Sequence, residues 1–165
     1  MIVKHKQDLQ KKSYYFAYGS CMNRNSFKGT VHEFEVLGRA ELFNYRVGFT
    51  RESDKWGKGG IADILFTQDH IMEGILYSVP DHLIPELDRR ERAGEEFLHP
   101  IYRRINVTVF FNEVHMNAFT YEVINKEVSE IAPSEKYKNA IIGGTDLLSR
   151  KYVYNLQAHM SQLMK

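Results

Sequence analysis

Cysteine is nearly missing from this chain. Cys21 stands alone among 165 residues, which excludes an internal disulfide framework and a cysteine cluster for a structural metal. Charge of one sign is not in excess either: Lys and Arg total 22 against 21 Asp and Glu, a formal net charge of +1. No strong field of either sign is there to recruit nucleic acid or a membrane surface. No apolar run approaches the ~20 residues of a membrane helix, and there is neither an internal repeat nor a low-complexity tract. The opening "MIVKHKQDLQKK" has no apolar core of the kind a secretory signal needs. The seven histidines include no pair at short metal-ligand spacing. These absences predict a cytoplasmic protein with a small-molecule partner and speak against a bound metal.

What is present is a chain of single-domain length, whose folding buries roughly 70% of the surface of the unfolded state and so leaves room for a core with a pocket. Residues 1–13 read as a polar lead-in and residues 14–165 as one domain. Tyr14 to Tyr18 read as an aromatic strand that Gly19 ends by permitting a turn closed to other residues. Further strands are predicted at "LGRAELF" and "NYRVGFT" on either side of Asn44, at "GIADILF" and "MEGILYSV", and at "YRRINVTVFF" and "MNAFTYEVI" around Asn112-Glu113. In the first of that last pair Ile105, Val107, Val109 and Phe111 share one face, as a sheet with one buried side requires.

Helices are predicted over "DHLIPELDRRERAG", with Asp81 as N-cap, Pro85 in the first turn and Gly94 as the stop, and over the tail beyond Pro133, divided at Gly143-Gly144. In the tail Tyr152, Leu156, His159, Met160 and Leu163 recur at helical spacing. The sum is an α+β fold: a mixed, mostly antiparallel curved sheet or small β-barrel of six or seven strands with about three helices.

Two features carry chemistry. Glu91 lies seven residues after Ile84 and four after Leu87, on the apolar stripe of its helix. Burial there disfavours the ionised carboxylate and moves it toward the range of a general base or acid near neutral pH. The alternatives are a helix that frays before Gly94, or an ion pair with Arg92, Arg103 or another cation. The second feature is "YFAYGSCM", where the N–H groups of Gly19, Ser20 and Cys21 after the strand form either an ordinary tight turn or a concave nest for a carboxylate or oxyanion.

Taken in order, "YFAYGSCM", Gly38-Arg39-Ala40, "WGKGGIADILF", the "GILY" of Gly74 to Tyr77, Leu87-Asp88-Arg89-Arg90-Glu91, "YRRINVTV" and Pro133-Ser134-Glu135-Lys136-Tyr137 resemble the γ-glutamylcyclotransferase family, also called AIG2-like or BtrG-like, over residues 14 to 156. The resemblance implies that Glu91 is the catalytic glutamate and that Gly19, Ser20 and Cys21 form the substrate loop, with Tyr18, Tyr102 and Tyr137 lining the pocket. It implies a cofactor-free conversion of a γ-glutamyl amine or amino acid to 5-oxoproline and the free amine. Cys21 stands where the family usually has Asn, Arg92 where it usually has Gly, and the loop "RAGEEFLHPI" before Tyr102 is longer. Arg92 could lower the pKa of Glu91 or contact an anionic leaving portion.

Three alternatives accompany this expectation. One is an amide hydrolase or acyltransferase with Cys21 as nucleophile and a distant His as base. Another is a non-catalytic module that keeps the pocket for ligand binding. A third, within the same chemistry, releases a γ-glutamyl protecting group from a biosynthetic intermediate.

Overall fold

The computed structural model describes residues 11–165, so most of the lead-in expected over residues 1–13 lies outside the described residues. Strand β1 (Lys12–Ala17) starts two residues earlier than Tyr14. It is followed by a 3-10 turn (Ser20–Met22) and a short helix α1 (Arg24–Lys28), then by β2 (Glu35–Ser53) and β3 (Gly59–Pro80). A second 3-10 turn (Asp81–Leu83) leads into α2 (Ile84–Arg90), and β4 (Tyr102–Phe111), β5 (Val114–Val123), α3 (Glu135–Ile142) and α4 (Arg150–Leu163) complete the chain. Among the described residues no helix is long and apolar enough to cross a membrane.

The fold is α+β, and its one sheet is curved, with strands in the order β1-β3-β2-β4-β5. The neighbours in that order are antiparallel, β2 meeting β4 at the register pair Glu41–Phe110, and the sheet meets itself where β1 and β5 join through the parallel pair Tyr15–Phe119. Asn112 and Glu113, with φ of 49° and 65°, make the tight β4–β5 turn.

Among the described residues there are five strands, not six or seven. The two segments around Asn44 are one strand, and so are "GIADILF" and "MEGILYSV". Between the pairs Phe43–Ile71 and Tyr45–Phe66, Asn44 faces the four-residue excursion 67–70. Asn44 and Asp69 both take positive φ, and the Asp69 N–H donates to Asn44 Oδ1 at 3.1 Å. Residues that favour turns here make a bulge that bends the long β2–β3 ribbon without ending its pairing.

The predicted helices are present, with two corrections. Asp81 does not cap: its carboxylate accepts from Ser13 Oγ at 2.6 Å, and the chain enters through the 3-10 turn with Pro85 in the first turn of α2. The helix is also shorter than expected. It ends at Arg90, with Glu91 as C-cap and Arg92 already at φ 49°, ahead of Gly94. Helix α1 follows the turn, and Asn23 starts it by accepting the Ser26 N–H. In α4, capped by Ser149, Leu156 and Met160 are the buried positions.

The core gathers side chains from β1, β2, β3 and α2. Phe16, Phe27, Phe49, Tyr77, Ile75 and Leu87 are fully buried, and Tyr15, Phe27, Tyr77 and Phe119 form a ring stack with centroids 4.4 to 6.1 Å apart. Each such side chain contributes about 1.5 to 3 kcal/mol by leaving water. This stack fixes the end of β1, and with it the turn that follows.

Candidate active site

At the end of β1 the chain passes Tyr18 and Gly19 and coils into the Ser20–Met22 turn. Met22 and Asn23 N–H groups bond back to the carbonyls of Gly19 and Ser20 at 3.1 and 3.0 Å. The N–H groups of Ser20 and Cys21, at the start of the turn, have no such partner within it. Gly19 has φ −121°, not the positive value that its place in a turn suggests. Space is what requires glycine: a Cβ would lie 3.2 Å from Ala62 Cβ and 3.6 Å from the Tyr137 hydroxyl.

Glu91 reaches the same place from the end of α2. Its N–H still donates to the Leu87 carbonyl at 3.1 Å, so it stays aligned above the buried Leu87 even though the helix stops there. Its side chain is 14% exposed, and Oε1 accepts from Cys21 Sγ at 3.3 Å and lies 3.9 Å from Arg90 Nε. The cation beside it is therefore Arg90. Arg103 pairs with Glu122, and Arg92 lies over the ring of Phe97.

Between Glu91 and the turn is a narrow inner cavity of about 30 Å³ that Tyr18, Tyr102 and Tyr137 help to line. Their hydroxyls are held by backbone. Tyr18 donates to the Tyr121 carbonyl at 2.6 Å, Tyr102 donates to the Ala62 carbonyl at 2.5 Å, and Tyr137 accepts the Ala62 N–H at 2.9 Å. Tyr137 thus keeps its own proton to donate, whereas Tyr18 and Tyr102 offer only lone pairs. Burial raises the pKa of all three, so they act as neutral hydroxyls.

The Cys21 thiol is pushed up to about 12, first by burial and then by the Glu91 carboxylate. It is a protonated donor to Glu91 near neutral pH, and no histidine lines the cavity. A thiolate nucleophile gains no support from this geometry.

The structure brings together Glu91, Tyr18, Gly19, Ser20, Cys21, Tyr102 and Tyr137, and adds Tyr15, Ala62 and Tyr121 to the wall. The other addition is Arg90. It donates to the Ser26 carbonyl at 2.9 Å, Thr30 Oγ1 at 3.0 Å, Ser26 Oγ at 2.8 Å and Ser20 Oγ at 3.4 Å, tying α1 and the turn to α2. Nothing in the run Arg89-Arg90-Glu91-Arg92 singles out that arginine, because its partners lie 60 to 70 positions away. Ala62 had a signal: a small residue after paired glycines marks a close backbone approach. Among the described residues, no group of three His, Cys, Asp or Glu is placed to hold a metal ion.

Comparison with known proteins shows the family and the fold. The AIG2-like family profile matches residues 71–156, and the chain belongs to that family. It is 37% identical over 170 residues to a Bacillus subtilis (strain 168) protein named "Putative gamma-glutamylcyclotransferase YkqA", a match that covers 100% of this chain and 57% of the relative. The crystal structure of YkqA superposes with a TM-score of 0.80 at 36% identity, covering 99% of this chain and 58% of that one. A structure described as gamma-glutamyl cyclotransferase shares the fold at TM-score 0.81 and 23% identity, covering 90% and 88% of the two chains. The chain thus spans somewhat over half the length of the curated relative it matches.

Proposed function

We propose that this chain is a γ-glutamylcyclotransferase that converts a γ-glutamyl amine or amino acid to 5-oxoproline and the free amine, with Glu91 as general base and then acid. One observation carries the reading: the Glu91 carboxylate, enclosed and 3.3 Å from Cys21 Sγ, faces the Gly19-Ser20-Cys21 turn across the inner cavity. The substrate's α-ammonium gives a proton to Glu91, and the freed amine attacks its own γ-carbonyl. A carbon–nitrogen bond forms within the ring, the carbonyl oxygen takes the negative charge, and the N–H groups of the turn stabilise it. When that oxyanion collapses, the bond to the leaving nitrogen breaks as that nitrogen takes the proton from Glu91; Glu91 then takes the second proton from the ring nitrogen and passes it to the released amine, which departs as its ammonium. No water and no redox partner enters the balance.

Nucleophile and electrophile belong to one molecule, so the site needs only to fold the substrate, stabilise charge and carry protons from the attacking nitrogen to the leaving one. Tyr137, with its proton free, is suited to donate to the substrate, and Tyr18 and Tyr102 shape the wall. The test is to incubate the purified protein with γ-glutamyl amino acids, γ-glutamyl amines and glutathione and to assay 5-oxoproline. Formation from at least one of them is expected; none from any would overturn the reading.

A further inference from the structure

Outside the inner cavity lies a larger chamber of about 620 Å³, which shares Ser20, Glu91, Tyr102 and Tyr137 with it. That volume suits a small ligand group. On the proposed reaction, whatever is attached to the γ-carbonyl must extend into this chamber. Its walls come from the end of β2 and the connection after it, and from the segment after α2.

The charges of these walls are unequal. Glu91 is matched by Arg90, and Glu52 by Lys58 at 3.5 Å. Arg51, Lys55 and Arg92 have no carboxylate partner among the described residues, and Asp54 is the one unmatched acid on the chamber wall. The wall's four cations, Arg51, Lys55, Arg90 and Arg92, exceed its three carboxylates, Glu52, Asp54 and Glu91, by one, and Lys58, paired with Glu52 from outside the wall, raises the local surplus to two. Lys55 Nζ donates to the Arg90 carbonyl, and Arg92 rests on Phe97. Arg51 Nη1 and Arg90 Nε, on two residues of this wall, are buried with no hydrogen-bond acceptor, and of the two residues Arg51 is the one with no carboxylate within ion-pair distance. A buried donor left unpaired is costly, and native structures seldom keep one without a use.

We infer that this chamber is an anion-recognising subsite, and that Arg51 and Arg92 select leaving portions with two carboxylates, an acidic amino acid or short acidic peptide. The inference rests on the proposed cyclotransferase reading of the inner cavity. Arg51 supplies the enclosed contact and Arg92 the outer one, while Trp56 and Ile101 give the carbon skeleton an apolar surface. A guanidinium suits this task because it meets a carboxylate through two parallel N–H bonds.

The test compares γ-glutamylglutamate with γ-glutamylglutamine, which match in size and differ by one negative charge. For the parent protein kcat/KM should favour the acidic compound by about tenfold or more, the scale of one charge-assisted hydrogen bond. In Arg51→Gln and in Arg92→Gln that ratio should fall severalfold, through KM more than kcat. Arg92 is exposed, so its variant keeps the fold even if the Arg51 variant does not. Calorimetry on Glu91→Gln protein, with turnover blocked, should show the same preference in Kd. Equal Kd for the two compounds, or a ratio untouched by both arginine substitutions, would overturn the subsite. A preference in Kd without 5-oxoproline from the parent protein would overturn the reaction and leave the subsite standing.

Discussion

At the scale of single residues, the site separates side chains that act from side chains that support. Glu91 is the one carboxylate on the inner cavity, so Glu91→Gln should bind substrate yet lose at least about 10²-fold in kcat, the usual scale for a positioned base. Cys21→Ala should keep substantial turnover, since the thiol is a protonated donor and the proposed mechanism uses only the backbone of the turn. Loss of turnover in Cys21→Ala with normal circular dichroism and Tm would instead make the thiol the nucleophile. Gly19→Val places methyl groups where even a Cβ would be 3.2 Å from Ala62, and calorimetry should find binding of a γ-glutamyl ligand abolished. Ser20→Ala removes only a hydroxyl 3.4 Å from Arg90 and should weaken binding by about 0.5 to 1.5 kcal/mol at most. Glycine at position 19 was legible in the sequence, but its reason was not: turn chemistry suggested a positive φ, and the constraint is the approach of Ala62 on β3, 43 positions away.

At the scale of elements, strands and helices were legible where local pattern sets them and mistaken where a distant partner does. Asn44 and residues 67–70 carry the composition of turns, and only their mutual pairing shows that they bend one ribbon. Asp81 has the look of an N-cap until Ser13 claims its carboxylate. The position of Glu91 was legible from its spacing to Leu87, although the helix ends at that residue. A comparable long-range tie joins β2 to the tail: Glu130 accepts from the Phe49 N–H at 3.0 Å, lies 3.0 Å from His159 Nε2 on α4, and pairs with Arg46. Burial alone would raise its pKa, but His159, the Phe49 N–H and Arg46 together outweigh that and hold it below 4.5. A carboxyl depressed by folding stabilises the fold above its unfolded pKa, and the contribution fades as pH falls through the folded value. Glu130→Gln should therefore melt below the parent at pH 6, with the gap in Tm narrowing between about pH 5 and pH 3. A gap constant across that range would show that its charge is not what matters.

At the scale of the whole molecule, one buried carboxylate links the elements that surround the site. Asp63 is fully buried on β3; it accepts from Thr50 Oγ1 and Lys126 Nζ at 2.7 Å, and from the N–H groups of Ile64 and Val123 at 2.8 Å. It therefore joins β3 to β2, to β5 and to the segment after β5. In the sequence it is one acid among 21, and two of its partners are 60 and 63 positions away. Asp63→Asn sets an amide against donors and leaves Lys126 without its anion, so urea denaturation should show a loss of about 2 to 4 kcal/mol with an unchanged m-value. The curved sheet, its one parallel pair and its fully buried rings hold the inner cavity in a frame that long-range contacts over-determine. The outer chamber is different: much of its wall comes from the end of β2, the β2–β3 connection and the segment between α2 and β4. On the proposed reaction the two halves of the site are separable, so an engineer who wants a new substrate should randomise those connections together with Arg51 at the end of β2 and leave the tyrosines of the inner cavity alone.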